Sequence, residues 1–357
     1  MDIRTISRQD LVVFLRKLPP TPGSFLQGPW WYDLVQNPKD RVSFLAFFNG
    51  RECVGVATTV TREVRKGFAY TYVPRGPLMR ERGQLTEALG LLRDYWQGSA
   101  FCLRVEPVIA GDTPVGPGRD FADWEDFPKG YRSVAEVQPC ASSALDISRS
   151  EAELLKGMHQ KTRYNLHLAE RKDLIFRWGS AEDFQAFWGL LQGTAERGKF
   201  RTHAFTHYHE LLKTCEPTPF SADKEFELKL GLVEHHGKLL AACLNVASLG
   251  VVTYLHGASD RAQPELMAPY MLHWRVIQAA QAAGFKRYDW WGVRTERSGT
   301  SSWEGFTRFK MRFGGPQLEY LGTFDYPFKL ATYYSYLVGH LVDTAMWRMW
   351  HVLRKKT

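Results

Sequence analysis

The run Lys161–Lys172, KTRYNLHLAERK, holds residue types that could do chemistry directly. At about 100° per residue on a helix, Arg163, His167 and Arg171 share one face while Lys161, Asn165 and Lys172 share another. Cations pointing two ways suit the gripping of phosphates or carboxylates, and they equally suit a merely solvated basic face. Nucleophilic or metal chemistry of the standard kinds has no motif to carry it. The chain lacks GxSxG, HExxH, a P-loop and a GxGxxG after a strand.

A helix must present that run. Ser148 and Glu151 have capping-box spacing, and Ser150 and Glu153 have it equally, so the helix is predicted to begin just ahead of Lys161. With 357 residues the chain is too long for one ordinary core and is expected to form two domains. Hydrophobic residues at 44% and charged residues at 24% describe a folded protein. The 14% aromatic content, with 12 Trp, fills cores or lines grooves for sugars and bases; the count alone does not choose.

A net charge of +8 suits a polyanionic partner: a nucleic acid, a nucleotide-linked substrate or an anionic membrane surface. Cys53, Cys102, Cys140, Cys215 and Cys243 are widely spaced and form no CxxC, which reads as reduced core cysteines rather than disulfides or a zinc site. The first residues, MDIRTISRQDLVVFLRKL, lack the apolar run of a secretion signal, and no uncharged span of 18 residues occurs. A cytoplasmic protein is expected, with the cytoplasmic face of the membrane as a further place for it.

Taken in order, the chain shows a weak internal repeat. Val54–Val60, Phe68–Val73, the helical stretch Gln84–Trp96 and Ala100–Val105 are matched by Leu239–Ala247, Val251–Leu255, Pro269–Ala283 and Arg287–Trp291. Strand, strand, helix, strand is the core of an N-acetyltransferase-like domain, in which neighbouring strands splay to admit the acyl donor or acceptor; two ordinary α+β segments would give the same order by chance. Ala110–Tyr131 reads as loop, Ala144–Ile147 as a short strand and Ala181–Arg197 as a helix with Phe184, Phe187, Trp188 and Leu191 inward. RTHAFTHYHELL follows, then the hinge-like Glu216–Lys224. Tyr333–Lys356, with Arg348, Arg354, Lys355 and Lys356, reads as a helix that docks on the protein or rests on an anionic membrane.

A CoA pyrophosphate turn is missing. Its nearest approach, Glu52-Cys-Val-Gly55-Val-Ala57, begins with an anion, and Lys238–Cys243 in the second repeat has no glycine at the corresponding place.

Several blocks together resemble the FemABX family of non-ribosomal peptidyl transferases. They are FLQGPWW (Phe25–Trp31), PRGPL (Pro74–Leu78), LRVEP (Leu103–Pro107), QPCASSALDIS (Gln138–Ser148), the basic run, TAERGKFRTHAFTHYHELL (Thr194–Leu212), YLHGAS (Tyr254–Ser259), MAPYMLHWRVIQAAQAAG (Met267–Gly284), YDWWGV (Tyr288–Val293) and GFTRFKMRFGG (Gly305–Gly315). The resemblance implies an α+β fold of two tandem acetyltransferase-like (GNAT-like) domains, with mixed twisted sheets flanked by helices and no coiled-coil arm. It is similar to the compact FemX type, so residues 1–146 with 318–357 are expected in one domain and 147–317 in the other.

By the same resemblance the activity is transfer of an amino acid, glycine, alanine or serine, from aminoacyl-tRNA to the side-chain amine of a peptidoglycan stem peptide. The acceptor is a muramyl-peptide precursor, UDP-linked or lipid-linked. No cofactor is implied, since aminoacyl-tRNA is a co-substrate, and a monomer with peripheral contact at the inner membrane face is expected. Lys310 and Phe309 match the pair near the aminoacyl end of the tRNA: Lys310 for positive charge at the tetrahedral intermediate, Phe309 for stacking on the terminal adenine. A core Phe beside a surface Lys would read the same way. His203, Tyr208 and Tyr254 match acceptor-site positions, with a buried structural histidine as the other reading of His203. Lys161 and Arg163 belong to the basic motif, and Glu106 aligns with an acidic position. One departure is that Val35 stands where relatives often have a phosphate-binding Lys, with Lys39 or Arg41 as substitutes. Two other classes fit the residues less fully: a CoA-dependent N-acyltransferase on the same scaffold, and a non-catalytic RNA- or wall-precursor-binding protein.

Overall fold

The computed structural model describes residues 1–35, 37–111, 128–198, 200–221, 223–295 and 304–339. In chain order it begins with β1 (Asp2–Thr5), α1 (Arg8–Arg16), α2 (Pro29–Val35), β2 (Asp40–Asn49), β3 (Glu52–Arg65), β4 (Phe68–Val73), β5 (Leu78–Met79), α3 (Leu85–Trp96), β6 (Cys102–Val105), β7 (Val108–Ile109) and β8 (Arg132–Val134). It continues with β9 (Ala141–Asp146), α4 (Glu151–Gly157), α5 (Gln160–Glu170), β10 (Leu174–Gly179), α6 (Phe184–Gly198), α7 (Phe205–Lys213), β11 (Phe226–His235), β12 (Lys238–Ser248) and β13 (Val251–Ser259). The last elements are α8 (Ala268–Ala282), β14 (Arg287–Asp289), α9 (Glu304–Met311), β15 (Gln317–Glu319) and β16 (Thr323–Pro327).

The strands form two mixed sheets, ordered β1-β2-β3-β4-β6-β16-β8 and β10-β11-β12-β13-β14-β9-β15. Both repeats seen in the sequence fold alike. In each, two antiparallel strands are followed by a helix and a strand parallel to the second: β4 beside β6, and β13 beside β14. The uncharged runs Cys53–Thr61 in β3 and Leu239–Ser248 in β12 explain their continuous burial. Leu85, Leu89 and Leu92 of α3 close one face of the first sheet, and Leu11 and Leu15 of α1 close the other. In the second sheet α8 and α5 cover one face, while α6 and α7 cover the opposite one together with Phe25 and Leu26 from the N-terminal segment. Each fully buried Leu or Phe contributes about 1.5–3 kcal/mol of transfer free energy.

The sheets change over earlier than the expected boundary at residue 146. β9 pairs with β14 and β15, so Ala141–Asp146 belongs to the second sheet, because its ladder partners lie there. The chain then returns to the first sheet at β16, clamped beside β6 by the bidentate Arg104–Asp325 pair at 2.7 and 2.8 Å. The cysteines are free and mostly buried, as expected of core residues. Residues 330–339 are helical, and Tyr333 donates to Asp325 at 3.0 Å; the basic end of the expected C-terminal helix and most of the Ala110–Tyr131 loop lie outside the described residues. Among the described residues no helix is long and apolar enough to cross a membrane.

The basic run sits on a shorter helix than expected. Ser150 and Glu153 form the capping box of α4, which ends at Gly157. The extended backbone of Met158 breaks the helix, and His159 Nδ1 caps α5 by accepting the Lys161 N–H at 3.1 Å. Arg163 donates to the carbonyl oxygens of Leu155 and Met158 at the end of α4, where Leu155 O also accepts the Met158 amide at 3.1 Å.

Candidate active site

β13 and β14 pair only over Val251–Thr253 and Arg287–Asp289. Beyond that point the Trp290 and Val293 amides donate to Ser143 and Ala141 of β9, so the chain after β14 stays with β9 and parts from β13. The side chain entering the base of this opening is Lys310. Its Nζ donates to the carbonyl oxygens of Trp290 at 2.6 Å and Gly292 at 2.8 Å, with Trp291 O farther off at 3.5 Å. The Phe306 ring centre lies 4.0 Å from Nζ and that of Tyr254 lies 5.2 Å away. An ammonium has three protons, and two short bonds leave the third only loosely held.

Lys310 is 2% exposed. Burial pulls its ammonium down to about 7, a fall that nearby Asp289 opposes. Asp289 accepts from Ser142 Oγ, from Thr253 Oγ1 at 3.1 Å and from the Trp291 amide at 3.0 Å; burial raises its carboxyl above the usual range. Acceptor carbonyls and ring faces favour a cation, so the cage counters the cost of burying one.

The turn after α9 aims Lys310 inward. Gly314 and Gly315 have φ of +95° and +89°, and a Cβ on them would lie 3.1 Å from Gly157 O and 2.5 Å from Ala144 O. Only glycine allows that close seating against α4 and β9. Tyr254 is placed by a bulge. Asn245 pairs with Tyr254 and Leu244 with His256, leaving Leu255 over, so Tyr254 and His256 face opposite sides of the sheet. A Cβ on Gly257 would collide with the Tyr254 hydroxyl, which explains the glycine in YLHGAS.

Three residues at this opening carry no role in the sequence reading. Trp291 lies two residues beyond Asp289, Arg75 reaches across from the first sheet to lie over its indole at 5.1 Å, and Phe306 is 44% exposed beside Lys310. YDWWGV and PRGPL contain two of them; the third shares a helix face with Lys310 at i, i+4.

The expected residues divide. Lys310 and Tyr254 come together. Phe309 is half-buried and packs against Tyr270, His273 and Phe313 at 5.1, 5.6 and 5.3 Å. Phe306 is the ring that faces out. Glu106, 3% exposed, has both oxygens occupied, by Tyr72 OH at 2.6 Å, the Arg75 amide at 3.3 Å, the Gln138 amide at 2.9 Å and Thr323 Oγ1 at 2.9 Å. With about four acceptor sites on a carboxylate, it has none left for a ligand and is a positioning residue. Arg163 is likewise spent on α4, whereas Lys161 is exposed with no ion-pair partner among the described residues.

His203 and Tyr208 meet on the other face of the sheet, where the His203 amide donates to the buried Tyr208 hydroxyl at 3.4 Å. Val35 packs into the α6/α7 core, and Lys39 and Arg41 are exposed.

The FemAB family model matches residues 122–219 and 221–339. The chain belongs to the FemAB family. Aminoacyltransferase FemA of Staphylococcus epidermidis is 21% identical over 81% of this chain and 87% of its own, and the lipid II:glycine glycyltransferase of the same species is 20% identical over 96% and 95%. Among solved structures FemX superposes with a TM-score of 0.75 at 18% identity, covering 93% of this chain and 99% of that one. A tandem GNAT protein from the clavulanic acid pathway gives 0.52 at 11%, covering 92% and 98%. The fold of this FemAB protein is therefore the tandem GNAT-like one, and the chain is an enzyme of the aminoacyltransferase class.

Proposed function

We propose that this FemAB protein transfers an amino acid from aminoacyl-tRNA to the side-chain amine of a muramyl-peptide precursor. The observation that carries the reading is Lys310, a caged cation with one loosely held proton at the base of the β13/β14 opening. An aminoacyl ester is already activated, so no cofactor is required. The acceptor amine attacks the ester carbonyl carbon, a C–N bond forms, and Lys310 steadies the oxyanion. Collapse breaks the ester C–O bond, and the proton lost by the amine passes to the leaving ribose oxygen.

Phe306, the more exposed of the two rings, takes the stacking role on the terminal base, while half-buried Phe309 packs against the core. Tyr254 walls the acyl group, and the exposed Lys161 suits a phosphate of either substrate. The net charge of +8 favours the tRNA, and nothing in the reaction requires a second chain. The names of the relatives support an aminoacyl donor and, for the glycyltransferase, a lipid-linked acceptor. The loop 260–267 between β13 and α8 contains no glycine, which argues against a CoA pyrophosphate grip there.

The test incubates the protein with mixed charged tRNAs and a muramyl pentapeptide, in UDP-linked and lipid-linked form, and reads product mass. A gain of one amino-acid residue that needs charged tRNA is expected. No gain with either acceptor, or an acetyl gain with acetyl-CoA, overturns the reading.

A further inference from the structure

Three imidazoles converge on the sheet face opposite Lys310. His203 precedes α7, His207 lies in its first turn and His256 stands on β13; one ligand nitrogen from each lies within 4.8 Å of the others. Ring centres are 4.5 Å apart for His203–His207, 5.6 Å for His203–His256 and 6.2 Å for His207–His256. No ring nitrogen of the three has a hydrogen-bond partner among the described residues. Crowding holds the rings neutral: burial brings His207 to about 4 and His256 to about 3, and lowers His203 as well. Three imidazole nitrogens within 4.8 Å of one another, with no protein donor among the described residues to meet them, form a candidate ligand set.

We propose that His203, His207 and His256 bind one divalent transition-metal ion of the zinc class, with a fourth coordination position open to solvent. Three nitrogens and no carboxylate suit zinc, cobalt, nickel or copper and exclude calcium and magnesium, which take oxygen ligands. Bonds of about 2.0–2.1 Å place tetrahedral ligand nitrogens about 3.3 Å apart. Rotation of the exposed His203 side chain closes the remaining gap. The bulge at Leu255 makes the site possible, because unbroken alternation would put His256 on the Tyr254 face. The ion would pin the segment before α7 to β13 and offer its open position to water or to an oxyanion. This site does not depend on the proposed reaction.

The test uses the full chain without an affinity tag, stripped with EDTA and titrated with Zn²⁺ and then Co²⁺. One equivalent of each is expected, with Co²⁺ giving the intense visible bands of a low-coordinate site. The H203Q/H207Q double variant should weaken binding by more than about a hundredfold, while H235Q/H236Q, which removes the His pair whose rings stand 4.0 Å apart, should leave it unchanged. H207C keeps a ligand and should bind Co²⁺ with an added sulfur-to-cobalt charge-transfer band, which separates ligand loss from misfolding. A folded wild-type chain that binds no metal, unaltered affinity in H203Q/H207Q, or lost affinity in H235Q/H236Q overturns the site.

Discussion

Arg75 and Trp291 join the open ends of the two sheets, with the guanidinium 5.1 Å from the indole ring centre. Both have left-handed backbones, at φ 50° and 56°. Both amides are held by a buried carboxylate, Arg75 by Glu106 at 3.3 Å and Trp291 by Asp289 at 3.0 Å. Non-glycine residues in that region are strained and persist only where surrounding structure fixes them. The fixing here runs from Glu106 through Arg75 to the carbonyls that cage Lys310.

Arg75→Met tests that connection. It removes the bond from Nη2 to Pro139 O at 2.7 Å and the stacking on Tyr320 at 3.6 Å, so a stability loss of about 1–3 kcal/mol is expected in denaturant melts. Where the variant remains folded, transfer should slow through kcat, since Trp291 and the cage lose their support. A destabilised variant with full kcat would show that the two sheets are joined without reference to the site.

Lys310 sets the pH response. Its folded pKa, about 7, lies below the ordinary lysine value, so the ammonium is lost as pH rises through neutrality. With the ammonium as the working form, wild-type transfer shows a limb descending above about pH 7, and Lys310→Met loses about 10²–10³ in kcat together with that limb. The sign for stability is the reverse. A depressed lysine is disfavoured as a cation in the fold, so its contribution is fullest above the unfolded pKa, falls as pH drops towards 7 and is flat below. Lys310→Met should flatten that slope in melts from pH 7 to 10. A limb retained in the variant would assign the titration elsewhere.

The two β-β-α-β units were legible because strand alternation and helix length are local properties, and α3 and α8 begin within a residue of their expected starts. The sheet to which Ala141–Asp146 belongs was not, since pairing with β14 is a long-range choice that no local pattern records. The helix break at Met158 was hidden for a related reason: Arg163 and the Arg312 carbonyl, which accepts the His159 amide at 2.9 Å, stabilise it from outside. Lys310 is legible only through the family resemblance, whereas its neighbour Phe306 follows from i, i+4 spacing on the same helix face.

Gly257→Ala should act through Tyr254. The new methyl takes the place of the Tyr254 hydroxyl and pushes the ring from Lys310, at a cost of about 1–3 kcal/mol. Tyr254→Phe would still leave ring carbons 2.5 and 2.6 Å from the new Cβ, so the partner change is Tyr254→Ala, and the double variant should lose less stability than the sum of the two single losses. Additive losses in thermal melts would show that the ring does not lie over the glycine.

Phe306 and Phe309 should separate binding from folding. Phe309 packs among Tyr270, His273 and Phe313, so its replacement by Ala should cost about 3 kcal/mol of stability. Phe306 is 44% exposed and contacts the Lys310 ammonium, so Phe306→Ala should melt near the wild type. Its loss should instead weaken the charged tRNA by about 1–3 kcal/mol, the cost of one lost base stack, seen as a raised KM for aminoacyl-tRNA. The KM for the muramyl peptide should not move with it. If both KM values rise together, Phe306 shapes the opening as a whole and does not receive the terminal base.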